Sequence, residues 1–249
     1  MIKNIFITIL FITQFSISQN IDTNCVKSAE INPSMIINSY IQAIGGYKKI
    51  KKIKTLQKNI ETTITNSSHI KMNTTIMYKQ PNLYSKTLSI PNLGEVQSTK
   101  HDGVNCIIKQ NLNNKKINKK IEGKLLDEKK IEFYPFPILE IEYSEQKNNL
   151  INVENDINES THIIELIDKT GKKTQLFFNC ESDLLIMKKV IKNNKTNTII
   201  YENYKSIKGV LFPFNETNII EIDDEIVQEN RDTILEIIIN QEINITEFQ

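Results

Sequence analysis

Residues 54–81 read KTLQKNIETTITNSSHIKMNTTIMYKQP. Leu56, Ile60 and Ile64, then Ile70, Met72, Thr74, Ile76 and Tyr78, fall close to strict alternation with polar residues. A strand turns successive side chains to opposite faces, so a period of two predicts half-buried antiparallel strands. Asn66-Ser67-Ser68 supplies the turn between the first two.

Upstream the period is helical. Asn32-Pro33-Ser34 opens a helix, with Asn32 or Ser34 as cap and Pro in the first turn. Met35, Ile36, Tyr40, Ile41 and Ile44 share one face, and Gly45-Gly46 stops the helix. A second short helix is predicted from Tyr47 to about Ile53, with its lysines in solvent.

Downstream the alternation continues. Leu83 to Ile90, Glu95 to Lys100 and Val104 to Lys109 read as strands, the last two joined at Asp102-Gly103. Residues 111–124 are so rich in Lys and Asn that a mobile loop is expected, and a short helix follows over Leu125 to Ile131. Phe133 to Leu139 is the densest aromatic patch, and its two prolines exclude regular structure. Eight further strands are predicted between Leu150 and Ile239, with Glu225–Asp232 and Ile234–Ile239 as separate strands. No strand–helix rhythm appears, so a parallel sheet with crossovers is not expected. The predicted fold is mainly β (α+β): an incomplete, strongly curved antiparallel barrel covered by N-terminal helices.

Composition bounds the function. The chain has 249 residues and a net charge of +1, which argues against nucleic acid as a partner. Its 46 Ile and 30 Asn, set against the single Arg231, reflect codon bias toward A/T and nominate no site. Lys3, the apolar run Ile5 to Phe15 and Ser16-Ile17-Ser18 have the order of a secretory leader. Residues 1–18 are therefore expected to be a cleaved signal peptide and residues 19–249 a single domain. The apolar run is too short for a transmembrane span. Export permits disulfides, and Cys106 with Cys180, both strand-borne, is the pair favoured if one forms; three free thiols is the alternative.

Catalytic signatures are missing. His69, His101 and His162 lack partners at metal-ligand spacing, and neither the nucleophile-elbow nor the phosphate-loop motif occurs. The expectation is a protein that is not an enzyme, with no cofactor, no metal site and no catalytic residue. What remains is binding. A curved sheet with an apolar face either packs it fully or leaves a ligand cavity.

Several stretches resemble one family. Ala43-Ile44-Gly45-Gly46 with Ile50, Ile53, Lys54, Thr55 and Leu56, then Tyr78-Lys79-Gln80-Pro81-Asn82, Asp102-Gly103 and Tyr201 to Pro213, are similar to exported Bacteroidetes-type members of the outer-membrane lipoprotein-sorting (LolA-like) proteins. The resemblance implies a half-barrel lidded by helices, a hydrophobic cavity, a periplasmic location and the acyl chain of a lipid or lipoprotein as ligand. It leaves room for outer-membrane association and a partner protein there. Two features depart from the family: the chain has no Trp, and Arg231 lies in a strand where it cannot hold a lid. Tyr134, Phe136 and Leu139 are the candidate ligand-binding residues, at the cavity rim or lid. The alternatives are an interaction module with a filled core, or an accessory domain of an exported insulinase-type peptidase system.

Overall fold

The computed structural model describes residues 32–65, 70–112, 115–139, 150–156, 161–168 and 171–249. The expected leader and Cys25 lie outside the described residues.

Helix α1 spans Pro33–Ala43. Asn32 is its cap, its Oδ1 accepting the Met35 N–H at 3.1 Å. Gly45 and Gly46, both at positive φ, end it. Helix α2, Tyr47–Ile50, is shorter than expected. From it the chain enters one meander of strands: β1 Thr55–Ile64, β2 Lys71–Lys79, β3 Leu83–Ile90, β4 Gly94–His101, β5 Cys106–Leu112 and β6 Lys115–Ile121. Helix α3, Gly123–Lys130, and a 3-10 turn, Ile131–Phe133, follow. A second meander comprises β7 Leu150–Asp156, β8 Thr161–Ile167, β9 Lys173–Asn179, β10 Leu185–Lys192 and β11 Lys195–Glu202. It continues through the ribbon β12 Lys205–Ile207 and β13 Val210–Phe212 to β14 Asn215–Ile222 and β15 Glu225–Ile239.

Thirteen strands form one sheet in the order β6-β5-β4-β3-β2-β1-β15-β14-β11-β10-β9-β8-β7. Every neighbouring pair is antiparallel, and β6 and β7 are the two edges, each paired on one side only among the described residues, so the barrel does not close. The first and last strands meet in the middle, Leu56 opposite Ile239. Ribbon β12–β13 leaves the sheet and packs Val210 and Phe212 into the core.

The registers define an inner face. Leu56, Ile60, Phe214, Ile234 and Ile237 meet Ile36, Ile37, Tyr40, Ile41 and Ile44 of α1 in the main core. The Tyr40 ring stands edge-on to Phe178 of β9, centroids 5.6 Å apart. A smaller core gathers Tyr84, Cys106, Ile121 and Phe133. On the outer face the C-terminal tail lies across β1 and β2. Asn240 N–H donates to Thr55 O at 2.9 Å, Lys79 Nζ to Ile243 O at 2.9 Å, and Phe248 is 1% exposed. The sequence reading assigned nothing beyond Ile239.

Four expectations need correction. The aromatic patch Phe133 to Leu139 is not wholly irregular: Phe133 ends the 3-10 turn and residues 137–139 are helical, with Pro137 at the first position, where a proline is tolerated. Within the expected loop 111–124, Lys115–Ile121 is edge strand β6. Its lysines point to solvent and Ile121 points inward, the charge pattern that discourages edge-to-edge pairing. Glu225–Ile239 is one strand, carried past Leu235 by an irregularity opposite Asn59/Ile60 that leaves Leu235 exposed. Cys106 is a buried free thiol, and Cys180 is disulfide-bonded, so these two do not pair. Residence in a strand says nothing about the distance between strands, and β5 and β9 lie far apart in the sheet order.

Candidate functional site

The motifs behind the resemblance meet in space, and they do structural work. A Cβ on Gly45 would overlap the Gly209 carbonyl oxygen, while Leu211 N–H donates to Ile44 O at 2.9 Å. Only a residue without a side chain lets the helix end sit on the ribbon turn. Asn82 Nδ2 donates to Gly103 O at 3.0 Å, tying the β2–β3 turn to the β4–β5 turn. Gln80 N–H reaches Lys54 O at 2.9 Å. These residues clasp turns and carry no chemistry.

The chemistry lies on the inner face, where alternation runs from apolar to polar along each central strand. In β14 the inward residues are Asn218 and Glu216, continuing to Phe214 beyond the strand end. In β15 Asn230 and Asp232 precede Ile234, and in β1 Lys58 stands between Leu56 and Ile60. The register sets Glu216 opposite Asp232 and Asn218 opposite Asn230. Thr62 faces Asp232 and donates its hydroxyl to Oδ1. Lys58 and Lys86 flank Ile76 of β2 on the same face. Asn197 of β11, opposite Ile220, and Lys188 of β10, opposite Ile199, continue the polar set.

Burial shapes these groups. It pushes the Glu216 carboxyl above the usual range; Lys58 and Lys86 pull it back, and the neighbouring Asp232 raises it further. Asp232 is raised by burial and restrained by the Thr62 hydrogen bond and by Lys86. Burial lowers Lys188. The phenols of Tyr78 and Tyr201 are pushed up by burial and by the Glu216 charge. The Oδ1 atoms of Asn197, Asn218 and Asn230 are shut off from solvent without a hydrogen-bond partner among the described residues. Each such acceptor costs the fold about 1–3 kcal/mol.

Tyr134, Phe136 and Leu139 belong to the connection that carries the chain from edge strand β6 to edge strand β7. Phe133 anchors it, 2% exposed, stacked on the His101 ring at 4.3 Å and 5.1 Å from Tyr84. His101 Nδ1 donates to Asn105 O at 2.9 Å, because a carbonyl only accepts. Phe136 lies 5.6 Å from Phe212, and Phe136 and Leu139 pack on the main core. Tyr134 is half-buried. A cleft of about 10 Å³ beside this connection, lined by Leu56, Tyr78, Phe133 and Pro135 among others, has room for one water. A wider one of about 320 Å³ lies over β4–β6, between Glu95, Gln110, Lys116 and Ile117.

The sequence reading missed the polar end. Its signal was present: the phase that makes Phe214 inward makes Glu216 and Asn218 inward too. Among the described residues no three His, Cys, Asp or Glu side chains are placed to hold a metal ion, and no helix is long and apolar enough to cross a membrane.

An unclosed, curved antiparallel barrel with a helix on its inner face is the LolA-like fold. The chain is similar to a LolA-superfamily protein of Nitrosomonas europaea, with a TM-score of 0.53 and 13% identity over 88% of this chain and 98% of that one. It is also similar to a putative outer membrane lipoprotein-sorting protein domain of Vibrio parahaemolyticus, at 0.55 and 10% over 86% and 94%. A third similar structure is a DUF1329-family protein of Desulfovibrio piger, at 0.54 and 10% over 87% and 96%. No protein-family model matches the sequence, and no curated protein matches it. At such identities the likeness is one of fold.

Proposed function

We propose that the chain is an exported, periplasmic binding protein without catalytic activity, whose half-barrel takes the acyl chain of a lipid or lipoprotein. The observation that carries this reading is an unclosed sheet with an apolar inner face, against which Phe136 and Leu139 pack after β6. The fold shared with lipoprotein-sorting proteins supports it. Leader removal after Ser18 accounts for the location, and the Bacteroidetes-type affinity rests on the sequence motifs alone. Tyr134, Phe136 and Leu139 form the rim over which the chain enters.

A filled interaction module is the second reading. Ile44, Leu56 and Ile164 at 0% exposure favour it, because that end of the inner face is packed solid. Native mass spectrometry of the protein exported to a bacterial periplasm separates the two. The carrier reading expects co-purifying lipid and binding of a fluorescent fatty acid, weakened by Tyr134→Ala with Phe136→Ala. A bare mass with no fatty-acid binding leaves the filled module.

A further inference from the structure

The polar end of the inner face has no place in a purely apolar cavity. Lys58, Lys86 and Lys188 share it with two carboxylates, yet no ion pair joins Lys58 or Lys86 to Glu216 or Asp232, although Lys86 is near enough to act on both carboxyls. Lys58, Glu216 and Asp232 are half-buried and Lys86 is exposed, so the two carboxylates sit on the inner face without a lysine in contact. The three asparagine oxygens add buried acceptors that no described residue satisfies. Their register places them together: Asn218 faces Asn230, and Asn197 lies diagonally across from Asn218. A metal ion does not fit a cluster holding three lysines and two carboxylates.

The geometry points to a head-group site in which Lys58 and Lys86 take a phosphate while Glu216, Asp232 and the amides of Asn197, Asn218 and Asn230 take a primary ammonium. The ligand class is an amphiphile with a zwitterionic phosphate–amine head. The site rests on the acyl-chain reading above and extends it. Ammonium brings three donors to a place rich in unmet acceptors, and phosphate brings acceptors to the lysines. Next along the same strands come Ile60, Phe214 and Ile234, buried beneath α1, so a tail leaving the head reaches apolar side chains only by displacing part of that packing. Burial and the neighbouring Asp232 hold Glu216 above the usual carboxylate range, and an ammonium beside it would favour its charged form.

The test uses the full exported protein and four probes in calorimetry: dihexanoyl phosphatidylethanolamine, dihexanoyl phosphatidylglycerol, dihexanoylglycerol and glycerophosphoethanolamine. The ethanolamine lipid is expected to bind at least about tenfold tighter than the other two acylated probes. Glu216→Gln with Asp232→Asn removes that preference and leaves dihexanoylglycerol unchanged. Asn218→Leu, which keeps both carboxyls, weakens the ethanolamine lipid alone and serves if the double variant lacks a cooperative thermal transition. Equal binding of the three acylated probes, or a preference surviving both variants, overturns the head-group site while the carrier reading stands. Binding of glycerophosphoethanolamine with no acylated probe retained any tighter overturns the carrier reading and keeps the site. No binding of any probe overturns both.

Discussion

Replacing Gly45 with alanine tests the contact that joins the N-terminal helix to the ribbon. Gly45 has φ +125°, a conformation that side chains rarely adopt, and its new Cβ would overlap the Gly209 carbonyl oxygen, with Val210 Cα at 3.2 Å. Both obstacles are backbone, so neither yields cheaply. Holding a residue with a Cβ at such a φ costs about 1–3 kcal/mol. Pushing the ribbon away breaks the Leu211 to Ile44 hydrogen bond of 2.9 Å, worth about 0.5–1.5 kcal/mol. A loss near 3 kcal/mol lowers Tm by roughly 6–12 °C in a domain of this size. Gly94→Ala is the control: its φ is +73° and nothing lies within 4 Å of its Cβ. That change costs about 1–2 kcal/mol of backbone strain alone. Thermal unfolding followed by circular dichroism reads both, and hydrogen exchange at the Leu211 amide reads the contact. If Gly45→Ala is no worse than Gly94→Ala and the Leu211 amide stays protected, the clasp argument is wrong.

Other substitutions probe other links. Burial raises the Glu216 carboxyl, so between the unfolded and folded pKa the native state holds the extra proton, and stability falls as pH rises through that interval. Glu216→Gln should therefore be more stable than the parent at pH 7, with the gap closing in acid; urea titrations showing a loss at pH 7 would contradict this. Phe133→Ala removes a ring 2% exposed between Tyr84 and His101 and should cost about 3–5 kcal/mol in denaturant unfolding, against well under 1 kcal/mol if the connection were loosely seated. The Cys106 thiol, at 0% exposure and with burial pushing its pKa up, should resist alkylation until the protein unfolds; rapid labelling of the native protein, mapped by peptide mass, would show an open smaller core.

Much of the fold was legible because strands announce themselves by period. The alternation from Leu56 to Tyr78 placed β1 and β2, and Asn32 with Gly45-Gly46 bounded α1. Lysine and asparagine hid β6, since an edge strand needs little apolar signal when only Ile121 is buried. The long β15 was split because an irregularity shifts the phase that alternation relies on. Cysteine pairing failed for a different reason: strand membership carries no information about which strands are neighbours.

The sequence by itself determined the class: an antiparallel, strand-rich chain with an N-terminal helix and no catalytic motif. Local spacing reports which side chains share a face, and that is enough for the class. Only the tertiary structure decided that β1 closes against β15, that β6 and β7 stand at opposite edges, and that Glu216, Asp232, Lys58 and three asparagines end on the inner face. Those facts depend on contacts between residues more than a hundred positions apart, and on which of two alternating faces the helix covers. Neither is written in any short window of sequence.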